Sequence, residues 1–412
     1  MKREGEVDGL EKRTLTLGFV PLADCAPLVV ARERGFFERF GLSVDLTREA
    51  SWATVRDKVA VEALDGAQML AAMPLAATLG LDGLRAPMVT GLSLDLNGNG
   101  IVLSRALWAE MAPARETPAA IGEALARTVA SRAARGLPKL RLAVTFPHSS
   151  HNYLLRHWLA ASGIDPDADL RLTIVPPPRM LAHLIEGDID GYCVGAPWGQ
   201  IAVDLGVGRL ALTTYDVWNN HPEKVLGVTR AWAERHPNTH LALVMAVLSA
   251  CRWLDAPENR LDAARLLAQT RYVDAPVEAL EATLGGRLLT GAGVRALPDF
   301  HVFHRYAANF PWRSHALWAL AQMRRWGQIG SGVDDRALAD AVYRPDIHRA
   351  AARRIGLDAP DADFKSEGTH PASHTVEGVL GPIALGPDLF CDGAIFDPAA
   401  RDATRQPKES DA

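Results

Sequence analysis

Two cycles of short apolar strands alternating with helices constrain the fold of this chain more than any other feature of its sequence. In the first cycle, strand patterns at 15–20, 42–46, 67–72 and 87–96 alternate with helical patterns at 26–40, 52–64 and 74–80. The second cycle has strand patterns at 140–145, 170–175, 191–194 and 209–213. This order predicts parallel sheets with crossover helices, in which ligands lie at the carboxyl ends of the strands.

The connections between the two cycles predict two lobes separated by a cleft. The turn at 97–100 closes the first cycle and leads into a short strand pattern at 101–104. Asp24 is a candidate N-cap for the helix at 26–40. After the second cycle the pattern is mostly helical, and 239–254 is apolar on nearly every side, which indicates a buried helix.

Composition and charge exclude several classes of protein. The chain has 412 residues and a formal net charge of −5, which argues against a general binder of nucleic acid or of a membrane surface. Its four cysteines lie far apart and form no C-x-x-C pair. We therefore expect neither a disulfide framework nor a thiolate zinc site.

The N-terminal segment bears on the compartment. It carries too many charges for the apolar part of a secretory signal, and no stretch of about 18 apolar residues could span a bilayer. We therefore expect a cytoplasmic protein, although a chain trimmed of its signal peptide would look the same.

Sequence signatures of common enzymes are absent. The chain contains no G-x-S-x-G elbow, no G-x-x-x-x-G-K-[ST] phosphate loop and no H-E-x-x-H zinc helix. The turn at 97–100 precedes a strand pattern, whereas a dinucleotide-binding glycine turn opens a helix. We therefore expect a binding protein without catalytic residues or a cofactor, although missing motifs alone do not exclude an enzyme.

The segment 147–152 lies between a predicted strand and a predicted helix. Backbone N–H groups at the start of that helix would point outward, and a small anion there would accept them together with a proton from His151. The alternative is that Ser149 or Ser150 only caps the helix and that the histidines are solvated. A zinc site at His148 and His151 lacks a third ligand, so we expect no metal.

Three further side chains fit a small-anion site, and each has a structural alternative. Trp52, at another strand-to-helix junction, offers an indole N–H and a flat wall, or it only covers the core. Asn99 directs its amide into the cleft, or it only shapes its turn. Lys224, just before a strand pattern at 225–229, is either a counterion for the anion or a solvated loop residue. Cys193 fits a small buried residue better than a nucleophile.

Several separate blocks carry a resemblance to a known family. They are Ser51-Trp52 with Arg56-Asp57-Lys58, Leu96-Asn97-Gly98-Asn99-Gly100, 151–160, Val175-Pro176-Pro177-Pro178, Tyr192-Cys193-Val194-Gly195-Ala196-Pro197-Trp198, Leu212-Thr213-Thr214, His221-Pro222-Glu223-Lys224 and Asp392-Gly393-Ala394-Ile395-Phe396-Asp397-Pro398. In this order they resemble the nitrate- and bicarbonate-binding proteins of the NrtA/CmpA type, over residues 14–398. Within that family the resemblance is closest to the cytoplasmic nitrate/nitrite sensors of the NasS type.

The resemblance implies the architecture of the chain. The family has a two-lobed α/β fold of the type II periplasmic-binding-protein-like class, with a ligand cleft at a hinge. We expect residues 14–104 and 215–398 to form the first lobe, 105–214 the second lobe, and 399–412 a disordered tail.

The resemblance also implies a set of ligand-binding residues. Nitrate-binding relatives hold the anion with a tryptophan, a glutamine, a histidine and a lysine, and the matching positions are Trp52, Asn99, His151 and Lys224. Asn99 is a shorter amide than the family glutamine, and Asn152, the fifth expected ligand-binding residue, stands where a smaller one is usual. Ala196 replaces an acid found before Pro-Trp in relatives, which would remove a docking contact with a transporter.

The function implied by the resemblance is that of a cytoplasmic nitrate or nitrite sensor. A NasS-type protein holds an RNA-binding antiterminator of the NasT type inactive until the anion binds, and then releases it. The partner, and not this chain, would touch RNA, and no membrane contact is expected. Two alternatives stay open: the substrate-binding component of a nitrate ABC transporter, and an enzyme like those of thiamine-pyrimidine synthesis, which share the broader fold.

Overall fold

The secondary structure is that of a computed structural model, which describes residues 7–81, 83–400 and 404–405. The strands are β1 (Thr14–Phe19), β2 (Ser43–Arg48), β3 (Gly66–Leu70), β4 (Met88–Asn97), β5 (Asn99–Ser104), β6 (Arg141–Val144), β7 (Arg171–Ile174), β8 (Gly191–Gly195), β9 (Gly208–Thr213), β10 (Pro222–Thr229), β11 (Arg287–Leu289), β12 (Val294–Ala296), β13 (His301–Val302), β14 (His374–Glu377), β15 (Pro382–Leu385), β16 (Ile395–Phe396) and β17 (Thr404–Arg405).

Helices pack against these sheets and alternate with the strands along the chain as far as α16. They are α1 (Ala26–Glu33), α2 (Phe36–Arg39), α3 (Trp52–Ala60), α4 (Met73–Leu79), α5 (Arg105–Met111), α6 (Pro118–Ala134), α7 (Ser150–Ala161), α8 (Met180–Glu186), α9 (Trp198–Asp204), α10 (Arg230–Arg235), α11 (Pro237–Asp255), α12 (Arg260–Leu267), α13 (Val277–Leu284), α14 (Arg313–Arg325), α15 (Asp335–Val342) and α16 (Pro345–Arg354).

The strands form two main sheets, one for each lobe. The first has the order β13-β4-β10-β3-β1-β2 and the second the order β7-β6-β8-β5-β9. The strands β1, β2 and β3 are parallel, as are β6, β7 and β8, as the alternation of strands and helices predicted. The strands β10 and β5, however, run antiparallel to both of their neighbours. Each sheet is therefore mixed, because the strand that follows each crossing between lobes enters in the opposite direction.

The first crossing between the lobes is a sharp turn at Gly98. Asn97 ends β4 and Asn99 begins β5, and φ is 66° at Asn97 and 90° at Gly98. A Cβ on Gly98 would lie 2.3 Å from Cε1 of His301. Glycine is therefore required here both for its backbone conformation and for the close approach of the histidine ring.

The second crossing, residues 214–221, runs beside the first. The Asn97 backbone N–H donates to the carbonyl of His221 at 3.1 Å, and the Asn97 Nδ2 donates to Oδ1 of Asn220 at 3.1 Å. The Thr214 hydroxyl donates to the Asn99 carbonyl at 3.4 Å. The two crossings are therefore hydrogen-bonded to each other and form a single band between the lobes, which is the arrangement of a hinge.

The structure corrects several local predictions. The helical pattern at 26–40 forms two helices, α1 and α2, because Gly35 between them has φ 70°. Asp24 caps no helix, since the short 3-10 helix there has no side-chain cap and Asp24 is buried. The helix α5, which was not predicted, is capped by Ser104, whose hydroxyl accepts from the Leu107 N–H.

The predicted lobe boundaries also differ from the sheets. The strand β5 pairs with β8 and β9 in the second sheet, so the chain leaves the first sheet at Asn97 and not after Ser104. Of the expected tail at 399–412, residues 401–403 and 406–412 lie outside the described part of the chain. Thr404–Arg405 pair with β16.

The helix α11 confirms the prediction of a buried helix. Its residues 242–248 are at most 1% exposed, and it packs against α1, α16 and β4. Among the described residues, no single helix is long and apolar enough to cross a membrane. Only α11 taken together with residues 257–267 passes that test, as a pair bent by 96°.

The chain after α16 is largely irregular, with the short strands β14 to β17. Its segment 387–391 follows the second crossing between the lobes. The Asn219 N–H donates to the Leu389 carbonyl at 3.0 Å, and the rings of Trp218 and Phe390 stack with centroids 4.7 Å apart. This late segment is therefore fixed to the hinge.

Candidate ligand-binding site

The structure brings together four of the five predicted ligand-binding residues, between the lobes. Trp52 opens α3 and His151 lies in the first turn of α7, and a serine caps each helix. Asn99 begins β5, and Lys224 lies in β10. All four side chains are at most 1% exposed, and Lys224 Nζ lies 5.5 Å from the centre of the Trp52 ring.

Lys224 is neither solvated nor an unpaired cation. Its Nζ lies 2.7 Å from Oδ2 of Asp24 and 2.6 Å from Oε1 of Glu223, and its backbone N–H donates to Oδ1 of Asp95 at 3.0 Å. Burial alone would lower the pKa of Lys224, but the three carboxyl groups raise it above its ordinary value. The ammonium is therefore charged, and its charge is compensated within the first lobe.

The carboxyl groups around Lys224 differ in charge state. Burial raises the pKa of Asp24 to about 7 although Lys224 opposes the change, and burial also raises the pKa of Asp95. Burial would raise the pKa of Glu223 too, but Lys224, His151 and His221 hold it at about 2. At pH 7, Glu223 is therefore ionised and paired with Lys224, whereas Asp24 is partly protonated.

Polar atoms without partners cluster around this charged group. The indole Nε1 of Trp52, both amide atoms of Asn99 and both ring nitrogens of His151 have no hydrogen-bond partner among the described residues. The His151 Nδ1 lies 3.4 Å from Oε1 of Glu223. Buried polar groups are almost always hydrogen-bonded, and each unsatisfied one costs about 1–3 kcal/mol. The cluster therefore has the character of a polar ligand site.

Burial fixes the charge of His151. It lowers the pKa of the imidazole to about 3, with Glu223 opposing the change. The ring is therefore neutral at pH 7, so that one nitrogen donates and the other accepts.

Gly195 provides the space in which Asn99 meets the charged group. Gly195 pairs with Asn99 across β8 and β5. A Cβ on Gly195 would lie 3.3 Å from Oδ2 of Asp24 and 3.4 Å from Oδ1 of Asn99. These two oxygens therefore border the same small volume, which any larger residue would enter.

Asn152 is the predicted ligand-binding residue that the structure does not bring into this cluster. Its Nδ2 donates to the Pro147 carbonyl at 2.7 Å, and its Oδ1 accepts from Nε of Arg156 at 3.1 Å. Both ends of the amide are thus used in holding the loop before α7 and Arg156. His148 is also directed away from the cluster, and its Nδ1 lies 3.2 Å from Oε1 of Gln328.

Sequence reasoning missed the acidic half of the site. Asp24, Asp95 and Glu223 are all fully buried. An acid in an otherwise apolar segment is the signal that would have found Asp24 and Asp95, whereas Glu223 stands among polar neighbours in His221-Pro222-Glu223-Lys224. Glu223 and Lys224 are neighbours in a strand and would normally face opposite sides. An irregular register in β10 between residues 222 and 225 lets both reach the cleft.

Direct contacts between the lobes enclose the site. The Ala23 N–H donates to the Ala196 carbonyl at 2.8 Å, and the Trp198 indole donates to the Pro21 carbonyl at 3.1 Å. The Ser150 hydroxyl donates to Glu223 across the cleft. Ala196 is 4% exposed and contacts the opposite lobe.

A cavity lies at the edge of the cleft. Its volume is about 510 Å³, and its walls include Arg48, Glu49 and Ser51 from the first lobe and Pro178 and Arg179 from the second. Both lobes therefore contribute to its walls.

Comparison with known proteins identifies relatives along almost the whole chain. The sequence pattern of the NMT1-like family matches residues 8–268. The nitrate/nitrite binding protein NrtA of Synechocystis sp. PCC 6803 is 33% identical over 410 residues, covering 96% of this chain and 84% of NrtA. The bicarbonate-binding protein CmpA of Synechococcus sp. PCC 6301 is 32% identical over 418 residues, covering 96% of this chain and 87% of CmpA.

A longer relative matches with higher identity. The nitrate import ATP-binding protein NrtC of Synechocystis sp. PCC 6803 is 41% identical over 395 residues, covering 95% of this chain and 54% of NrtC. The chain thus spans about half the length of that relative.

The comparison of structures agrees with the comparison of sequences. The crystal structure of the periplasmic nitrate-binding protein NrtA from Synechocystis PCC 6803 superposes with a TM-score of 0.82 and 31% identity, covering 95% of this chain and 97% of NrtA. This match confirms the two-lobed periplasmic-binding-protein-like fold. NrtA and CmpA are both named as binding proteins. The chain belongs to the NMT1-like family, as a homologue of the nitrate- and bicarbonate-binding proteins NrtA and CmpA.

Proposed function

We propose that the chain binds nitrate or nitrite in the cleft between its lobes, as the substrate-binding unit of a nitrate import system. One observation carries the proposal: the polar groups of Trp52, Asn99 and His151 are buried beside Lys224 without partners. A small oxyanion placed among them accepts hydrogen bonds from the indole, the amide and the imidazole at once. Hydrogen bonds to a charged group contribute about 1.5–3 kcal/mol each.

The charges of the first lobe fit a monovalent anion. Lys224 is already paired with Glu223 and Asp24, so an added anion leaves an excess of negative charge unless a proton is taken up. Asp24 is the group that can take it, because burial raises its pKa to about 7. Anion binding would therefore be accompanied by protonation of Asp24.

The names of the relatives support the ligand class and the process. NrtA is named for nitrate and nitrite binding and NrtC for nitrate import. CmpA is named for bicarbonate binding, which makes bicarbonate the competing ligand that an experiment has to separate.

Calorimetric titration of the full chain with nitrate, nitrite and bicarbonate tests the ligand class. We expect saturable binding of nitrate or nitrite and none of bicarbonate. His151→Ala should weaken that binding, while Asn152→Ala should leave it nearly unchanged, because the Asn152 amide is used in the loop before α7. Binding of bicarbonate alone, or of none of the three anions, would overturn the proposal.

A second candidate is the cytoplasmic sensor that holds a NasT-type antiterminator and releases it when the anion binds. It uses the same buried polar groups beside Lys224 and differs from the first candidate in what responds to the bound anion. Ligand releases a partner only if it favours a lobe arrangement that the partner disfavours. Affinity for the antiterminator that stays the same in saturating nitrate would exclude the sensor and leave the import proposal standing.

A further inference from the structure

Two histidines and an aspartate converge on the C-terminal part of the first lobe, away from the cleft. One ligand atom from each of His370, His374 and Asp388 lies within 4.8 Å of the other two. The Nδ1 of His370 lies 2.8 Å from Oδ2 of Asp388. The two imidazole rings are stacked, with centroids 3.5 Å apart and an angle of 6° between their planes. Such a set is the donor combination that zinc prefers, imidazole nitrogen with carboxylate oxygen.

The backbone holds these three residues in position. His374 begins β14 and pairs with Leu385 of β15, which brings the end of the hairpin next to Asp388. The His370 N–H donates to Oδ1 of Asp388 at 2.7 Å, and the Asp388 N–H donates to the His370 carbonyl at 3.0 Å. The three residues are therefore held by paired backbone. Binding of one ion requires the stacked rings to rotate until the ligand atoms reach tetrahedral spacing, about 3.3 Å for bonds of 2.0–2.1 Å.

A small cavity lies against the same residues. Its volume is about 20 Å³, and its walls include His374, Asp388, Asn220, His315 and Lys365. A polar cavity needs about 10–15 Å³ to hold one water molecule. The space is therefore sufficient for a water molecule as the fourth ligand of a metal ion.

The charges around the cluster are compatible with a cation. Lys365 is paired with Glu367, so its charge is compensated beside the cavity. The carboxylate of Asp388 is 4% exposed and the His370 ring 37% exposed. The site therefore combines a buried anionic ligand with a route from solvent.

The geometry points to a divalent transition-metal site of the zinc class, formed by His370, His374, Asp388 and a water molecule. The ion replaces the hydrogen bond between His370 and Asp388 with two metal–ligand bonds. Both histidines bind through neutral imidazole nitrogen, so binding weakens on acidification. The inference is independent of the anion proposed for the cleft.

The chain contains a second cluster that serves as a matched control. His183, Glu186 and Asp188 also place ligand atoms within 4.8 Å of one another, and the His183 Nδ1 lies 3.0 Å from Oδ2 of Asp188. This cluster, however, has two exposed acids and one histidine. A site with two imidazole ligands should bind zinc more tightly, which separates the two clusters by experiment.

The test uses the full chain stripped with a chelator and titrated with Zn²⁺ against a chromophoric competitor, and separately with Co²⁺. We expect one tight equivalent of Zn²⁺ and visible absorption bands of tetrahedral Co²⁺. His374→Gln should weaken Zn²⁺ binding at least 30-fold and abolish those bands, whereas His183→Gln should retain both. Circular dichroism and thermal unfolding of the stripped variants show whether each is folded before metal is added.

Each outcome of that test decides the question. Loss of the tight equivalent in folded His374→Gln, with retention in His183→Gln, supports the site, and loss in Asp388→Asn supports it further. Retention in His374→Gln, loss in His183→Gln, or no tight equivalent in the unmodified chain overturns it. If His374→Gln does not fold, the Co²⁺ spectrum of the unmodified chain decides, because octahedral Co²⁺ with only oxygen ligands would contradict a site with two imidazoles.

Discussion

The two lobes contribute different chemistry to the cleft. The first lobe supplies the ionisable groups Asp24, Asp95, Glu223 and Lys224, which are paired with one another, together with the Trp52 indole. The second lobe supplies the neutral groups Asn99, Ser150 and His151. Desolvating a neutral donor costs far less than desolvating a charge. The second lobe therefore contributes only neutral groups, whose burial costs little free energy. The charges of the first lobe are compensated within that lobe, independently of its distance from the second.

Removing the cation of the first lobe should have the largest effect. Lys224→Met leaves Asp24 and Glu223 buried without a counterion, so we expect anion affinity to fall roughly 100-fold or more and unfolding free energy to fall by about 3–5 kcal/mol. Calorimetry and urea denaturation measure the two effects. The double variant Lys224→Met/Glu223→Gln should regain stability but not anion binding. Unchanged affinity in the single variant would remove Lys224 from the site.

Removing a neutral donor of the second lobe should change binding without loss of stability. His151→Ala takes away one hydrogen bond to the anion, so we expect affinity to fall by about 10- to 100-fold. The melting temperature of the ligand-free protein should change little, because removal of two unsatisfied buried nitrogens offsets the cavity that the missing ring leaves. Asn152→Ala is the control and should do the reverse, losing about 1 kcal/mol of stability with little change in affinity. A destabilised His151→Ala would contradict the division between the lobes.

Anion affinity should depend on pH through the first lobe alone. Asp24 has a pKa raised to about 7, and bound anion favours its protonated form. Affinity for nitrate should therefore increase by about tenfold from pH 8 to pH 6. His151, with a pKa of about 3, and Glu223, with a pKa of about 2, do not titrate in this range. Asp24→Asn should remove the dependence, and a pH profile that persists in this variant would assign it to another group.

The Asp24 carboxyl group should also make the unfolding free energy depend on pH. The pKa of Asp24 is raised from 3.8 in the unfolded chain to about 7 in the folded protein. Its contribution to stability is therefore fully present below pH 3.8 and is lost as the pH rises through 7. The difference in unfolding free energy between the unmodified chain and Asp24→Asn, followed in urea from about pH 4 to about pH 8, measures that loss.

A methyl group added between the Asp24 carboxyl group and the Asn99 amide should have the smallest effect on anion affinity. Gly195→Ala places a carbon 3.3 Å from the Asp24 carboxyl oxygen and 3.4 Å from the Asn99 amide oxygen. We expect affinity to fall about fivefold, or ~1 kcal/mol. The matched control is Gly381→Ala, where an added Cβ meets nothing within 4 Å. Equal binding by the two variants would show that the anion lies elsewhere in the cleft.

The fold was predictable from sequence because periodicity and capping are local. Ser51 and Ser149 cap their helices as their positions before helical patterns suggest, and both helix starts lie in the site. The reversal of β5 and β10 was not predictable in the same way. The direction in which a strand enters a sheet depends on partners far along the chain, and the hydrophobic pattern of a buried strand is the same in both directions.

The charged part of the site was hidden for a related reason. Asp24 precedes a helical pattern, which is also where an N-cap stands, and only the fold shows that its carboxylate reaches Lys224. Lys224 itself was recognised, but as an uncompensated cation. A buried ammonium without partners would be too costly to persist. Burial of Lys224 therefore implies counter-charges beside it. The sequence around Lys224, however, does not show that this residue is buried.

The hydrogen-bonded crossings at Asn97 and His221 define a rotation axis for the two lobes. In a rotation about this axis, groups close to it are displaced by a short distance and groups far from it by a long one. Asn99 and Lys224 are each within a few residues of a crossing, so a rotation of the lobes about the crossings would change the distance between them least, whereas Ser51 and Pro178 at the cleft edge would separate most. An incoming anion would therefore contact Lys224 and Asn99 first, and its hydrogen bond with His151 would form only when the lobes have closed.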